Sequence, residues 1–234
     1  MFRYSLIMAA GKGERMLPFT KTHPKAMVEV DGKPLICFLL EQISLISEKV
    51  FITTGYNGHE ITAYFLDKNN ISFINTYHKG NAWWIFHSLM KDVDEPVLVS
   101  DCDILTSIDV NYIDLNCRNA GYPACLILPV KPVNGVEGDY LFGRKGKVFS
   151  FSRTQKSDIY SSGLQVINPY KINQLINKRA ENISDVWNLL IEKGELYYAE
   201  TYPHKWYSIN TMEQLNEAKY YLPLIKKEKT CTVI

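Results

Sequence analysis

The chain has 234 residues, of which 46% are hydrophobic and 22% are charged, and its formal net charge is +1. This composition is that of an ordinary globular protein, and it argues against both a disordered chain and a membrane protein. Because there is no overall excess of positive charge, the chain lacks the basic surface of a general nucleic-acid binder, so any anion-binding site must be local.

Short apolar or β-branched runs alternate with helical patterns over the first 130 residues. The clearest predicted helix runs from Pro34 to Ser47. The alternation is typical of βαβ units, and the continuous apolar runs indicate an α/β fold whose sheet is covered on both faces. The predicted strands of this half cover residues 4–10, 49–56, 71–77, 96–101 and 124–130.

The second half begins with residues 140–153, where two strand-like runs flank a polar turn at Arg144–Lys147 and predict a hairpin. Residues 1–223 are expected to form a single domain, and residues 224–234 a loosely held tail. The remaining predicted elements are a strand over 160–168, a helix from Ser184, strands over 195–201 and 205–210, and a helix whose Thr211 and Gln214 form a capping box.

Cysteine usage and hydropathy both bear on the compartment. The five cysteines are scattered and never form a C-x-x-C pair, which favours reduced thiols in the cytoplasm over a disulfide framework or a zinc knuckle. The longest purely apolar run, residues 35–40, is too short for a bilayer span, which needs about 20 residues, so no membrane contact is expected. The last four residues, CTVI, have the form of a prenylation motif, although a four-residue pattern also arises by chance.

The first predicted strand runs directly into the sequence MAAGKGERM, which carries Gly11 and Gly13. Two glycines at this place let backbone N–H groups approach an anion without obstructing side chains, which suits a phosphate. The loop is not a dinucleotide fingerprint, because Met16 stands where the third glycine would be, and no Walker A pattern occurs.

The residues that follow make the loop specific. Arg15, Pro18, Thr20, Pro24 and Lys25, followed by VEVDGKPLI, resemble the signature G-x-G-x-R-x-x-P-x-T-x-x-x-P-K of the nucleotidyltransferases that activate sugar phosphates. The resemblance implies a Rossmann-like, three-layer α/β/α fold with a mixed, mainly parallel central sheet. It also implies that an NTP reacts with a phosphorylated metabolite to give a nucleotidyl-metabolite and pyrophosphate.

In this reaction a phosphate oxygen of the acceptor attacks the α-phosphorus, so catalysis consists mainly of alignment and charge neutralisation. The resemblance implies that residues 1–130 form a nucleotide-binding half. Arg15 is expected on the leaving pyrophosphate and Lys25 on the phosphates near the new bond. The base is left open between CTP, UTP and GTP. The predicted nucleotide-binding residues are Ala9, Ala10, Gly11, Lys12, Gly13, Arg15, Lys25, Gly80 and Asn81.

Gly80 and Asn81 fall where the family has a glycine-containing stretch that lets the base approach the backbone. Trp83 and Trp84 follow directly. They could narrow the pocket, stack on the base or substrate, or pack in the core.

A triphosphate needs a divalent cation, and Mg²⁺ (or Mn²⁺) is the expected cofactor. Asp103 aligns with the family's metal-binding aspartate, and Asp101 lies two residues earlier on the same face of the predicted strand. The family's second carboxylate comes from a late motif resembling W-x-D-I-G-T or W-x-E-I-D, where this chain has Ser208. Either Asp101 takes that role, or water fills it, or the enzyme is impaired.

Acceptor binding is expected in residues 131–223. The chain lacks the Glu-Lys-Pro motif of many sugar-1-phosphate enzymes, so Arg153 and Lys156 are candidate phosphate ligands, with Glu137 at acceptor hydroxyls and Gly163 in the segment YSSG. The leading hypothesis is an enzyme acting on a sugar 1-phosphate. The alternatives are a cytidylyltransferase for phosphocholine or a similar phosphorylated amino-alcohol, and a nucleotide-binding regulatory subunit without turnover. The sequence leaves open whether the protein is a monomer or a dimer.

Overall fold

The computed structural model describes residues 1–231, and the side chains of residues 1–225. The strands within this part are β1 (Phe2–Met8), β2 (Glu29–Val30), β3 (Lys33–Pro34), β4 (Ser47–Thr54), β5 (Ile71–Asn75), β6 (Val97–Asp101), β7 (Ile104–Thr106), β8 (Cys125–Val130), β9 (Tyr140–Arg144), β10 (Lys147–Ser152), β11 (Tyr160–Ile167), β12 (Leu196–Tyr198) and β13 (Trp206–Ser208). The α-helices are α1 (Leu35–Ile46), α2 (Gly58–Tyr64), α3 (Trp83–His87), α4 (Val110–Asn119), α5 (Pro169–Leu175), α6 (Ile183–Lys193) and α7 (Met212–Cys231).

Nine of these strands form one sheet in the order β5-β4-β1-β6-β11-β8-β12-β10-β9. Strands β5, β4, β1 and β6 are mutually parallel. Strand β11 runs antiparallel to both β6 and β8, and β10 runs antiparallel to β12 and β9. The remaining strands share the direction of β1, so the predicted mixed, mainly parallel sheet is confirmed.

The sheet has a hydrophobic core on each face, because successive residues of a strand point to opposite sides. In β1 the neighbours Leu6 and Ile7 are both fully buried but belong to different cores. Helices α1 and α7 cover the face of Ile7, and α3 and α6 cover the face of Leu6. The predicted three-layer α/β/α arrangement is therefore present.

Most elements fall where the sequence places them. Helix α1 begins after Pro34, and the hairpin turns between Arg144 and Lys147. The capping box of α7 is formed, since Thr211 N–H donates to Gln214 Oε1 at 3.1 Å and Gln214 N–H donates to Thr211 Oγ1 at 3.2 Å.

The C-terminal segment differs from the expected loosely held tail. Helix α7 continues through Cys231, and Ile225 is buried in the core, one turn after the buried Leu222. The buried side chains of Leu222 and Ile225 on one face attach the helix to the core as far as residue 225. The final residues of the CTVI motif, 232–234, lie outside the described residues.

Two further features of the described residues are the hydropathy of the helices and the state of the cysteines. None of the described helices is long and apolar enough to cross a bilayer. Within residues 1–225 the four cysteines, Cys37, Cys102, Cys117 and Cys125, are buried free thiols.

Candidate active site

The candidate site lies where strands β1 and β6 end side by side, with Met8 in register with Asp101. Two adjoining cavities meet here. The first, which we call the outer cavity, has a volume of about 560 Å³, and the second, the inner cavity, about 220 Å³. Both are lined by Met8, Arg15, Asn81, Asp101, Asp103 and Asn210.

The outer cavity is lined by the loop after β1, including Ala10, Gly11, Lys12, Gly13 and Arg15. A Cβ atom added at Gly11 would meet nothing within 4 Å, so the backbone there is open to a ligand. Gly13 has φ +64°, and a Cβ atom there would lie 2.8 Å from Cβ of Lys25. The loop therefore needs a glycine at 13 both for its left-handed backbone and for its packing on Lys25.

Ala9 supports the loop after β1 and does not line either cavity. Its backbone N–H donates to Thr53 Oγ1 at 3.0 Å, and the residue is buried and lines neither cavity. Thr20 fixes the other end of the loop by donating from Oγ1 to the carbonyl oxygen of Gly13 at 2.8 Å. These two bonds hold the loop in place from both ends.

The predicted cationic residues are brought together by Asn210. Its Oδ1 accepts hydrogen bonds from Nη2 of Arg15 at 2.8 Å and from Nζ of Lys25 at 2.9 Å. Lys25 also forms an ion pair with Asp103. Asn210 is itself anchored, since its backbone N–H donates to Gln214 Oε1 at 2.6 Å and its Nδ2 to Ser208 Oγ at 2.7 Å.

The two aspartates at the end of β6 repel each other. Burial, and then the nearby charge of Asp103, raise the pKa of Asp101 to about 7, and Lys25 opposes this shift. A divalent cation would relieve this repulsion, and Mg²⁺ binds through one or two carboxylates plus phosphate oxygens. Among the described residues no cluster of three or more His, Cys, Asp or Glu side chains could hold a metal alone. The donor set therefore fits a metal that arrives with a phosphate-bearing ligand.

Ser208 lines the inner cavity together with Asp101 and Asp103. It is buried, it pairs with Ile104 across β13 and β7, and its hydroxyl lines the inner cavity. Strand β13 (Trp206–Ser208) carries no acidic residue, so Asp101 and Asp103 are the carboxylates that line both cavities.

The inner cavity brings together residues of the second half. Gly163 has φ +82°, and a Cβ atom there would lie only 2.7 Å from Oδ2 of Asp101. Arg153 donates to Asp139 Oδ1 at 2.9 Å, and Arg15 donates to Glu137 Oε2 at 3.1 Å. The cavity is further lined by Ser161, Ser162, Gln165, Ser184, Trp187 and Trp206.

Comparison with known proteins agrees with this architecture. Residues 4–113 match the family model described as nucleotidyl transferase. The match lies in the first half of the chain and covers just under half of its length. The matched segment contains the loop after β1, Lys25, Asp101 and Asp103, and thus all residues that line the outer cavity except Asn210.

Two curated relatives cover most of the chain. The bifunctional protein GlmU of Methanococcus maripaludis is 26% identical over 208 residues, which cover 84% of this chain and 49% of that protein. The glucose-1-phosphate cytidylyltransferase of Salmonella typhimurium is 27% identical over 244 residues, covering 89% of this chain and 91% of that protein. The chain thus spans about half the length of the GlmU relatives it matches.

A solved structure shows the same fold. The CTP:phosphocholine cytidylyltransferase from Streptococcus pneumoniae matches with a TM-score of 0.73, covering 94% of this chain and 100% of that chain at 22% identity. Sequence identity this low carries the likeness of fold alone.

Two of the predicted binding residues, Gly80 and Lys156, lie outside both cavities. Gly80 lines neither cavity, and a Cβ atom there would lie 1.9 Å from the carbonyl oxygen of Glu181, so the glycine is required by packing against the segment before α6. Lys156 lines an adjoining surface groove of about 840 Å³, which shares Glu137 and Gly138 with the inner cavity, but it does not line the inner cavity itself. Arg153 lines both the groove and the inner cavity.

The residues beside Gly80 also have defined places. Asn81 lines both cavities, and its Oδ1 accepts a hydrogen bond from the backbone N–H of Ile183 at 2.8 Å. Trp84 is fully buried in the core, and Trp83 stacks on His87 with ring centroids 5.1 Å apart. Neither tryptophan lines the cavities, so core packing explains Trp84.

Sequence reasoning missed several lining residues. Thr53, Thr76 and Lys79 line the outer cavity, and Gln165, Trp187 and Trp206 line the inner one. Only Thr53 and Thr76 carried a usable signal, because they end or follow parallel strands and so come to the edge of the sheet where β1 ends. The residues of the inner cavity belong to elements whose neighbours are set by long-range strand pairing.

Proposed function

We propose that this chain is a member of the nucleotidyl transferase family, and that it transfers a nucleotidyl group from an NTP to a sugar 1-phosphate and releases pyrophosphate. The observation that carries the proposal is the junction of the two cavities, where Asn210 holds Arg15 and Lys25 together beside Asp103. Two substrates bound in adjoining cavities would place their reacting phosphates at this junction.

The chemistry needs no protein nucleophile. A phosphate oxygen of the acceptor attacks the α-phosphorus in line, a new P–O bond forms, and the bond from the α-phosphorus to the bridging oxygen of pyrophosphate breaks. Backbone N–H groups from Gly11 to Gly13 bind the triphosphate, and Arg15 neutralises the charge that develops on pyrophosphate. Lys25 lines the outer cavity, contacts Asp103 and Asn210, which line both cavities, and binds the phosphate at the point of bond formation.

A divalent cation, Mg²⁺ or Mn²⁺, belongs to this proposal. Asp101 and Asp103 would hold it, with Ser208 as a neutral neighbour, and the ion would add positive charge beside the α-phosphate. Asp103 also forms the ion pair with Lys25, so it orients the lysine whether or not metal is present.

The acceptor is proposed to be a sugar phosphate because the acidic groups of the inner cavity are largely paired. Glu137 pairs with Arg15 and Asp139 with Arg153, which leaves little free negative charge for an ammonium group. Trp187 and Trp206 are only 5% and 6% exposed, so they present little ring face to a cation. The relative named as a glucose-1-phosphate cytidylyltransferase supports the same acceptor class.

We further propose one domain over residues 1–223, with 1–130 binding the nucleotide and 131–223 the acceptor, because a single sheet joins strands of both halves. The four buried free thiols favour a reducing compartment such as the cytoplasm. The oligomeric state and the base are left open by this proposal.

The test is pyrophosphate release with the four NTPs against hexose 1-phosphates, phosphocholine and phosphoethanolamine in the presence of Mg²⁺. We expect turnover with a hexose 1-phosphate, and its loss in Asp103→Ala. Asp114→Ala is the matched control, because Asp114 lies on α4 in an exposed ion pair with Arg118. Turnover with phosphocholine alone would replace the acceptor class, and NTP binding without turnover on any acceptor would identify a regulatory subunit.

A further inference from the structure

A buried amide side chain faces the inner cavity from the middle of the sheet. Gln165 lies on β11, in register with Val99 of β6 and Ile127 of β8, and is only 3% exposed. It nevertheless lines the inner cavity. A buried polar side chain at the centre of a sheet is costly unless both ends of its amide are satisfied.

The oxygen of this amide is satisfied by the protein. Trp187 Nε1 donates to Gln165 Oε1 at 3.1 Å, and the Cys125 thiol donates to the same oxygen at 3.5 Å. The indole N–H can only donate, and burial raises the pKa of the Cys125 thiol, which keeps its proton in place. These two donors fix which end of the amide is the oxygen, so the –NH₂ group is the end left for the cavity.

The nitrogen end is not satisfied in the same way. Among the residues whose side chains the structure describes, no oxygen accepts a hydrogen bond from Gln165 Nε2. The two N–H donors of this group therefore require an acceptor from outside the protein, either water or a ligand.

We infer that Gln165 is a specificity-determining residue, whose Nε2 binds a hydroxyl or carbonyl oxygen of the acceptor and so selects a polyol or sugar phosphate. This inference rests on the proposed function, since it places the acceptor in the inner cavity. An ammonium or trimethylammonium group offers no lone pair to these N–H donors, so a phosphorylated amino-alcohol leaves them unpaired. A site built around such a hydrogen bond discriminates strongly against an analogue that lacks the oxygen.

Trp187 is the positioning residue in this arrangement. It comes from α6, packs edge-to-face on Phe151 with ring centroids 5.4 Å apart, and is itself buried. Without its N–H, the amide of Gln165 loses the stronger of the two donors that orient it. Trp187→Phe is therefore expected to raise KM for the acceptor more than it lowers kcat.

The experiment compares the wild-type protein with Gln165→Leu and Gln165→Glu on the preferred hexose 1-phosphate and its monodeoxy analogues. We expect each variant to lower kcat/KM by about ten- to hundredfold, which is typical of a lost hydrogen bond that leaves a polar partner unpaired. One deoxy analogue should lose a similar factor with the wild type and nothing further with Gln165→Leu. Gln174→Leu on α5, an exposed glutamine outside both cavities, is the matched control.

The glutamate variant distinguishes the loss of the hydrogen bond from a change in side-chain shape. It keeps the shape of the side chain and an oxygen for Trp187, and it loses both N–H donors. Urea unfolding of each variant verifies that the fold is retained.

Separate outcomes distinguish this inference from the proposed function. If the wild type turns over hexose 1-phosphates and both variants keep full kcat/KM with an unchanged response to every deoxy analogue, the inference is overturned and the proposed function stands. If the wild type turns over nothing, the proposed function fails, and calorimetric binding of a hexose 1-phosphate and of phosphocholine to the wild type and Gln165→Leu still decides. Tighter binding of phosphocholine, or sugar-phosphate affinity unchanged by the substitution, would overturn the inference in that case.

Discussion

The ammonium of Lys25 and the carboxylate of Asp103 form an ion pair in which only 13% and 15% of the two side chains are exposed. They are 78 residues apart in the chain. A pair this protected from water interacts more strongly than a surface pair, and removing one partner leaves an uncompensated charge. The geometry thus links the loop after β1 to the end of β6 at the junction of the two cavities.

Lys25→Met tests this relationship. We expect kcat/KM for nucleotidyl transfer to fall by about 10²–10³, because a fixed positive charge beside the reacting phosphates is lost. The control is Lys21→Met, which removes a lysine from the same basic segment but from outside both cavities. Steady-state pyrophosphate release measures both, and an unchanged rate in Lys25→Met would remove this lysine from the catalytic machinery.

Ser208→Asp tests how the site handles metal. A third carboxylate next to Asp101 and Asp103 should repel them in the absence of metal, so we expect Tm to fall by several degrees without Mg²⁺ and to recover when Mg²⁺ is added. NaCl at matched ionic strength is the control, because screening alone should restore only part of the loss. A Tm that responds equally to NaCl and MgCl₂ would contradict a metal position between these residues.

Two glycines with positive φ give a matched test of the contact between Gly163 and Asp101. Gly121 has φ +71°, with open space where a Cβ atom would lie. Gly163 has φ +82°, and a Cβ atom added there would lie 2.7 Å from Asp101 Oδ2. We expect Gly121→Ala to lower the free energy of unfolding by about 1–2 kcal/mol from backbone strain. Gly163→Ala should cost about 1–3 kcal/mol more from overpacking, and should also lose activity. Equal losses in urea unfolding would show that Asp101 moves aside freely.

Asp109 provides a pH-dependent test away from the active site. It caps α4 by accepting from Tyr112 N–H at 3.0 Å and pairs with His204 at 3.1 Å. Burial alone would raise the pKa of Asp109, but the hydrogen bonds from Tyr112 and His204 lower it overall. A lowered pKa in the folded state means that the ionised group stabilises the protein above the unfolded-state value, about 3.9, and that this is lost as pH falls through the folded value.

Asp109→Asn keeps a good capping side chain and removes only the charge. We expect it to lower the free energy of unfolding by about 1 kcal/mol near pH 7. The difference from the wild type should shrink as the pH falls from 6 towards 3. A difference that stays constant over this range in denaturant titrations would show that the charge of Asp109 contributes nothing.

Local sequence signals were sufficient for most elements and for the position of the glycine loop after β1. The apolar run before Gly11 and the proline before α1 act within a few residues, so their consequences can be read from the sequence. The same holds for the capping box of Thr211 and Gln214, which is formed as predicted.

The remaining features depend on contacts between distant segments. Gly80 packs against Glu181, and the strand pairs of β11 bring Gln165 to the floor of the inner cavity. The pairing of β10 with β9 shifts register between Val148 and Ser150. Lys156, which follows this irregular hairpin in the chain, lines the surface groove and not the inner cavity. Neither a glycine nor a lysine in the sequence carries information about such a partner.

The segment around Asn81 has a mechanical consequence for the cleft. Asn81 binds the backbone of Ile183 at 2.8 Å, and Ala82 N–H donates to the carbonyl oxygen of Glu181 at 2.9 Å. On the other side, Arg15 contacts the second half through its hydrogen bond to Asn210 and through an exposed ion pair with Glu137, which is a weak kind of contact. We therefore expect any opening of the cleft to pivot near Asn81 and to break the contacts of Arg15 with Glu137 and Asn210. The arginine that we propose binds pyrophosphate would then move away from the cleft as it opens, which would couple product release to this motion.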